Sequence, residues 1–493
     1  MLESAETGAK LSKADYDAVV PDLRVALLNA QYDLKDADFG VLIYLVGADR
    51  LGVADTANLL NEWMDARYLA THVFHDPSQE ERERPWAWRL WRVIPGRGEM
   101  ALFCGTGAPP TIRHRVLGEI DDAELTQRAQ NHRRMLSALA ANGTLVIKIW
   151  IHLSRDDARR RLKKARHDPD LRWRVDERDW TVLERYGEAR PLVERYLRLT
   201  DDPVAPWHLV DGADPRWRNV TIASIIRDAL RTRLHAPPPP PVEPDEVVQP
   251  VRQGHGRLDR VDLSARLDYD TYRERLRRLQ EKLHGQSLRA LDKGISTVLV
   301  FEGWDAAGKG GAIRRITRAL EAGEYRVVPI GPPTPEELAH HYLWRFWREL
   351  PRAGRVVIFD RSWYGRVLVE RVEQLTPVPA WRRAYDEIND FERQLHEHGI
   401  VLAKFWLHLD PDEQLRRFKA REQTPYKKYK ITDEDYRNRE RWEDYRVAAE
   451  EMFARTSTDV VPWTLVAAND KRWARIQVLE TVTDVLGRAL RAR

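Results

Sequence analysis

The chain has a single cysteine, Cys104, among its 493 residues. That rules out a disulfide framework and fits a reducing compartment. It also lacks an apolar run long enough to cross a bilayer, since the stretch at residues 41–48 is far too short. The first residues, Met-Leu-Glu-Ser-Ala-Glu-Thr, are acidic and polar and unlike a secretory leader. A cytoplasmic protein without a membrane partner is therefore expected. Charge of one sign is missing too: Lys+Arg number 81 against 77 Asp+Glu, a formal net charge of +4. Any affinity for a polyanion must come from local clustering, and nucleic acid is not expected as a partner. What the chain does have is 43% apolar residues and a length that predicts more than one domain.

The most informative segment is Val298-Leu-Val-Phe-Glu-Gly-Trp-Asp-Ala-Ala-Gly-Lys-Gly-Gly311. An apolar run enters a turn spaced Gly303-x4-Gly308-Lys309, and a helix-like stretch follows at residues 312–320. This is the layout of a loop that cradles phosphate with backbone N–H groups, a helix N-terminus and a lysine. The loop positions are Gly303, Ala306, Ala307, Gly308, Gly310 and Gly311. Gly310 stands where Ser or Thr would normally offer a hydroxyl to magnesium, and Asp305 is expected to supply that oxygen instead.

The sequence reads as one unit written twice. A proline-rich stretch at 236–262 separates residues 1–235 from 263–493, and one constant shift of 303 − 47 = 256 superposes the two sides without gaps. It places Asp305 on Asp49, Gly308 on Gly52, and Leu343-Trp-Arg-Phe-Trp-Arg348 on Ala87-Trp-Arg-Leu-Trp-Arg92. In the second half, β-rich runs at 297–301, 325–330, 355–359, 401–409 and 463–466 alternate with amphipathic stretches such as 334–350 and 381–396. Such alternation implies an α/β fold, a parallel sheet flanked by helices with ligands at the strands' carboxyl ends.

Differences between two copies with the same packing problem point to chemistry. Lys309 becomes Val53 and Asp360 becomes Cys104, while Arg361 and Arg366 become Gly105 and Pro110. Lys427, Arg437, Arg439 and Lys471 become Leu171, Thr181, Leu183 and Pro215. Trp344, Trp347, Trp406, His408 and Trp463 are kept in both copies and are expected in the core. We expect phosphoryl transfer, which needs positioning and charge neutralisation more than covalent participation. Lys309 and the loop amides hold the transferred phosphate in this reading. Asp305 and Asp360 anchor magnesium, for which manganese could substitute, and Arg361 and Arg366 face the phosphates. The region at about 411–446 reads as a helical lid whose basic residues suit an anion longer than one nucleoside triphosphate.

Four motifs together carry a resemblance. They are Glu302-Gly-Trp-Asp-Ala-Ala-Gly-Lys-Gly-Gly311, Phe359-Asp-Arg-Ser-Trp-Tyr-Gly-Arg366, the segment Tyr426-Lys-Lys-Tyr-Lys430, and Ala468-Asn-Asp-Lys-Arg-Trp473. In this order the chain resembles the polyphosphate kinase 2 family, and its fused form is similar to class II, the polyphosphate:AMP phosphotransferases. The resemblance implies tandem thymidylate-kinase-like P-loop domains, magnesium, inorganic polyphosphate as donor and AMP as acceptor, giving ADP. It implies catalytic roles for Asp305, Lys309, Asp360 and Arg361. It implies polyphosphate-binding lid roles for Arg421, Lys427, Lys430, Arg439 and Arg441, to which the charge pattern itself adds Arg366, Lys428 and Arg437, and it implies a degenerate first copy, expected to be inactive. Phosphorylation of nucleoside diphosphates, an ATP-dependent nucleotide kinase and a non-catalytic polyphosphate-binding protein are the alternatives. A homo-oligomer is compatible with the sequence.

Overall fold

The computed structural model describes residues 1–493 except 176, 237–255, 426–430, 432 and 493, with the side chain of 178 also left aside. Most of the proline-rich stretch and Lys427, Lys428 and Lys430 therefore lie outside the described residues.

Each copy builds a five-stranded, all-parallel sheet with the same connectivity. In the first copy β1 (Val41–Gly47), β2 (Ala70–Val73), β3 (Met100–Cys104), β4 (Leu145–His152) and β5 (Trp207–Asp211) lie in the order β2-β3-β1-β4-β5. In the second, β6 (Thr297–Gly303), β7 (Tyr325–Pro329), β8 (Val356–Asp360), β9 (Val401–His408) and β10 (Trp463–Ala467) lie in the order β10-β9-β6-β8-β7. The central strands read as unbroken apolar runs because helices cover both faces of the sheet; every residue of β1 is buried.

The helix pair Lys13–Leu34 and Pro215–Leu234 packs in the first copy, and its counterpart Tyr269–Asp292 with Lys471–Ala492 packs in the second. Their starts are specified alike. Ser12 accepts from the Asp15 N–H at 3.1 Å, and Asp268, its partner under the 256 shift, accepts from the Thr271 N–H at 2.9 Å.

Contacts divide the chain into two compact units that are not simply its two halves. Unit 1 comprises Met1–Pro77, Val93–Pro239 and Pro335–His341; unit 2 comprises Ser78–Arg92, Pro240–Thr334 and Tyr342–Arg493. In unit 1, Leu27, Ile43, Leu60, Ile149 and Ile226 belong to one buried apolar cluster. In unit 2, Trp91 stacks on Trp347 with centroids 5.8 Å apart, and Arg84 donates to the Leu350 carbonyl at 3.2 Å.

The five expected strands of the second half form within a residue or two of their expected limits. Residues 334–350 behave differently from a continuous helix: Pro335–Ala339 and Trp344–Trp347 are separate short helices. The interruption falls where the chain leaves one unit for the other, a tertiary constraint that helical spacing does not report. Trp344, Trp347, Trp406, His408 and Trp463 are all buried, as expected for core.

Candidate active site

β6 pairs with β8 on one side and β9 on the other, so the loop after β6 opens at the switch point of the unit 2 sheet. That loop is a tight structure. Gly303 has φ +132, and a Cβ there would fall 2.4 Å from the Leu407 carbonyl oxygen. Gly308 caps the helix Lys309–Thr317 in the left-handed region at φ 112, and Ala306 is also left-handed at φ 60. The Lys309 ammonium donates to the Gly303 carbonyl at 2.7 Å and the Trp304 carbonyl at 3.3 Å. Burial pushes that ammonium below the usual lysine range, and Asp305 opposes the shift.

Asp305 is held at both oxygens. Arg361 Nη2 donates to Oδ1 at 3.0 Å and Asn438 Nδ2 donates to Oδ2 at 3.0 Å. Burial alone would raise its carboxyl, yet Lys309, Arg361, Asn438 and Arg421 hold it below the usual carboxylate range. Arg361 itself sits left-handed at φ 65, turned off the end of β8 with its N–H on the Phe301 carbonyl at 3.0 Å. Asp360 closes β8 opposite Phe301, and its carboxylate makes no hydrogen bond or ion pair among the described residues. Electrostatically it acts on Lys309, Arg361 and Glu302 alike, so these groups share one neighbourhood. Glu302, which accepts from Ser362 Oγ at 2.7 Å, is pushed up by burial.

Several site residues escape a search for lost charges. Arg417, almost fully buried, donates to the Ala306 and Ala307 carbonyls (3.0 and 2.9 Å) and to those of Ala468 and Asn469 (2.6 and 2.9 Å). It thereby ties the phosphate loop to the loop after β10. Gln414 donates to the Asp305 carbonyl at 3.1 Å. The Trp304 indole stacks on Trp442 at the start of the helix Trp442–Thr456 and donates to His408 Nδ1 at 2.9 Å. His408 is pushed down to about 4 by burial, in keeping with a structural acceptor. In the late loop, Asn469 is bonded to Asp410, while Asp470 accepts from the Arg472 and Trp473 N–H groups.

The helical excursion consists of Pro411–Glu422, Asp433–Glu440 and the start of Trp442–Thr456. It brings Asn438 and Arg421 to Asp305. Three of its other described cations have protein partners elsewhere. Arg437 and Arg441 pair with Glu373 at 3.6 and 3.5 Å, and Arg439 donates to the Pro411 carbonyl at 2.5 Å. Arg366 was expected to face the phosphates. Its guanidinium instead bonds Thr376 at 2.7 Å and Glu370 at 3.2 Å, over the Tyr342 ring.

A second group of cations flanks the first turn of the loop helix. Arg315 donates to the Gly311 carbonyl at 3.3 Å, and a Cβ placed on Gly311 would lie 3.6 Å from Arg475 Nη2. Lys471 is pushed down to about 8 by burial, then by Arg417, Arg416 and Arg475, with Glu413 opposing. Burial, Arg315 and Arg314 likewise lower Arg475. Arg314, Arg315, Lys471 and Arg475 form no ion pair among the described residues. Under the 256 shift they are Asn58, Leu59, Pro215 and Asn219.

Unit 1 has no comparable loop. Its helix Arg50–Trp63 begins directly after Asp49, so the positions matching Ala306, Ala307 and Gly308 are already helical. The Asp49 carboxylate pairs with Arg161 and lies so close to Gly52 that a Cβ there would sit 2.1 Å from Oδ2. Arg161 is the counterpart of Arg417: its Nη2 still donates to late-loop carbonyls, those of Gly212 and Ala213 at 2.7 and 3.4 Å, while its Nη1 donates to the Asp49 carboxylate instead of to phosphate-loop carbonyls.

Comparison with known proteins agrees with this geometry. The family profile Polyphosphate kinase 2 (PPK2) matches residues 10–237 and again 266–492. The chain is 46% identical over 491 residues to a polyphosphate:AMP phosphotransferase of Pseudomonas aeruginosa, covering 99% of this chain and 98% of that one. It is 37% identical to one of Acinetobacter johnsonii, covering 93% and 94%. A crystal structure titled putative polyphosphate kinase 2, also from Pseudomonas aeruginosa, superposes with a TM-score of 0.90 at 44% identity and covers 100% of both chains. The chain is a member of the polyphosphate kinase 2 family, with two tandem copies of its α/β domain.

Proposed function

We propose that unit 2 transfers a phosphoryl group from inorganic polyphosphate to AMP, giving ADP. The observation that carries the reading is the joint placement of Lys309, Asp305, Asp360 and Arg361 around one strained loop at the switch point. The loop amides and Lys309 hold the equatorial oxygens of the travelling phosphate. Arg361, anchored on Asp305, lies where it neutralises charge as the bond to the donor loosens. The unpaired cations Arg314, Arg315, Lys471 and Arg475 support a donor longer than a nucleoside triphosphate, because they extend the positive field past the loop helix. The relatives' names supply AMP as the acceptor.

The donor set fits magnesium. Asp360 has open carboxylate oxygens, Asp305 lies alongside, and no group of three or more His, Cys, Asp or Glu capable of caging a metal occurs among the described residues. Magnesium keeps several waters and binds through one or two carboxylates plus substrate phosphates. When bound, it supplies charge neutralisation and alignment of the phosphates. Lid roles for Lys427, Lys428 and Lys430 belong to the same proposal.

We assign catalysis to residues 263–493 and read residues 1–235 as inert, since Asp49 and the early helix start leave no phosphate cradle. A cytoplasmic site of action fits Cys104, a buried free thiol. It also fits the finding that no helix among the described residues is long and apolar enough to cross a membrane. The test is an acceptor panel of AMP, GMP, ADP and GDP with polyphosphate and no ATP, read by product mass. ADP from AMP is expected; its absence overturns the assignment.

A further inference from the structure

The backbone leaving β3 and the backbone leaving β8 take the same left-handed turn, at Gly105 with φ 73 and at Arg361 with φ 65. The two residues match under the 256 shift. Glycine adopts this conformation freely, whereas a residue with a side chain is strained there and stays only where its surroundings over-determine it. In unit 2 the side chain has a task, because from this turn Arg361 donates to Asp305 at 3.0 Å. Something must hold the strained turn in unit 2 that unit 1 does not require.

The residues after Arg361 are fastened to two buried carboxylates. Ser362 Oγ donates to Glu302 at 2.7 Å and accepts from the Tyr364 N–H at 3.3 Å. Trp363 Nε1 and the Tyr364 hydroxyl both donate to Glu392 Oε1, at 3.1 and 2.7 Å. Glu392 stands on the helix Val378–Glu397, and its other oxygen accepts from Lys404 of β9 at 2.7 Å. The Lys404 ammonium also donates to the Tyr364 hydroxyl at 2.9 Å and to the Thr456 carbonyl at 2.7 Å. Ser362, Trp363, Tyr364, Glu392 and Lys404 are each at most 2% exposed. A buried ion pair of this kind gives little net stability, so its presence calls for a reason beyond stability.

Unit 1, with glycine at the turn, has neither carboxylate and neither aromatic donor. Glu302, Trp363, Tyr364 and Glu392 correspond to Val46, Gly107, Ala108 and Leu136. A Cβ on Gly107 would collide with the Tyr44 hydroxyl and lie 2.9 Å from His132 Cε1, so no side chain fits at that position. Tyr44 and His132 stand where unit 2 has Val300 and Ile388. Lys404 is kept as Lys148, whose ammonium has the Thr200 carbonyl at 2.6 Å. Within one chain, the fasteners and the side chain at the turn are present together or absent together. The sheet order and the left-handed backbone are common to both copies.

We propose that Glu392 is a positioning residue for phosphoryl transfer: through Trp363 and Tyr364 it holds the turn that delivers the Arg361 guanidinium to Asp305. The inference rests on the role of Arg361 proposed above and adds a group that is bonded to neither Arg361 nor Asp305.

A double-mutant cycle on the full chain tests it. The rate of ADP formation is read in single turnovers with enzyme in excess over AMP, so that slow variants remain measurable, and circular dichroism controls for folding. Glu392→Leu introduces the residue that unit 1 carries at this position. It should lower the rate by up to about a hundredfold, the scale of a misplaced catalytic group. In an Arg361→Ala background the same substitution should change the rate by no more than about twofold, because the group it positions is gone. Equal fold-losses in the two backgrounds would mean a general loosening of unit 2 and overturn the proposal, as would a parental rate in Glu392→Leu. If Glu392→Leu does not fold, Tyr364→Phe decides, since it removes one hydroxyl and leaves the ion pair in place. A loss seen only where Arg361 is present supports the proposal; no loss, or equal losses, overturn it. Arg361→Ala alone at the parental rate is a separate result, which would overturn the catalytic reading of Arg361 and the proposal with it.

Discussion

The indole of Trp304 lies flat on that of Trp442, with centroids 3.6 Å apart and planes 9° from parallel. One ring belongs to the phosphate loop, the other to the end of the helical excursion, so the stack joins the two. Asn438, four residues before Trp442, bonds the loop aspartate directly. Aromatic pairs contribute about 0.5–1.5 kcal/mol beyond their area. Trp442→Ala should therefore lower kcat/KM by up to about tenfold, since 1.4 kcal/mol corresponds to a factor of ten. Steady-state kinetics with circular dichroism as a control for folding checks this, and an unchanged kcat/KM would remove the stack from the account.

Lys309→Ala and Asp360→Ala should each reduce transfer by about a hundredfold to a thousandfold, as loss of one preorganised charge-stabilising group does. Neither replaces a core contact, so far-UV circular dichroism should stay parental. Asp49→Ala should cost far less than Asp305→Ala, because Asp49 is already spent on Arg161. Equal losses in the two would make unit 1 catalytic.

Polyphosphate binding should weaken steeply with salt. Arg475→Ala and Lys471→Ala should raise the KM for polyphosphate with little change in the KM for AMP. Each should flatten the slope of log affinity against log salt by about 0.7 per lost phosphate contact, as for single-stranded polyanions. A slope identical to the parent's would detach this cluster from the donor.

Two buried lysines at one register position should behave oppositely. Lys404 is paired with Glu392 at 2.7 Å, whereas Lys148 has the Thr200 carbonyl at 2.6 Å, and the position equivalent to Glu392 is Leu136. Lys404→Met leaves a buried carboxylate unpaired and should destabilise unit 2 by about 3–5 kcal/mol. Burial holds Lys148 at about 8 against an ordinary 10.5. Between those values the unfolded chain binds more protons, so stability rises with pH, and below 8 the whole penalty is present. Lys148→Met should remove that rise. Urea midpoints of variant and parent at about pH 7 and about pH 10 measure the difference; parallel shifts would refute it.

The duplication made much of this architecture legible. A gap-free register located the β6 loop, the acid closing β8 and the strand runs, because parallel central strands are apolar on both faces. Comparing copies for lost charge had two blind spots. Arg417 persists as Arg161, so a search for differences passes over it, although one of its nitrogens exchanges the phosphate-loop carbonyls for a carboxylate. Asn438 and Trp442 do differ, as Val182 and Tyr186, but they are uncharged; weighing every substitution near the lid would have found them. Strand-end proximity does not report the partner of Arg366, which Glu370 one turn later supplies.

The traffic of short segments between the units has a bearing on why the copy without a loop lysine persists. Residues 78–92 are encoded in the first half, yet they supply Trp91 to Trp347 and Arg84 to the Leu350 carbonyl. A gene trimmed at the proline stretch would encode a transferase missing part of its own interior. Retention of the seemingly redundant half is thus a matter of architecture before it is one of chemistry.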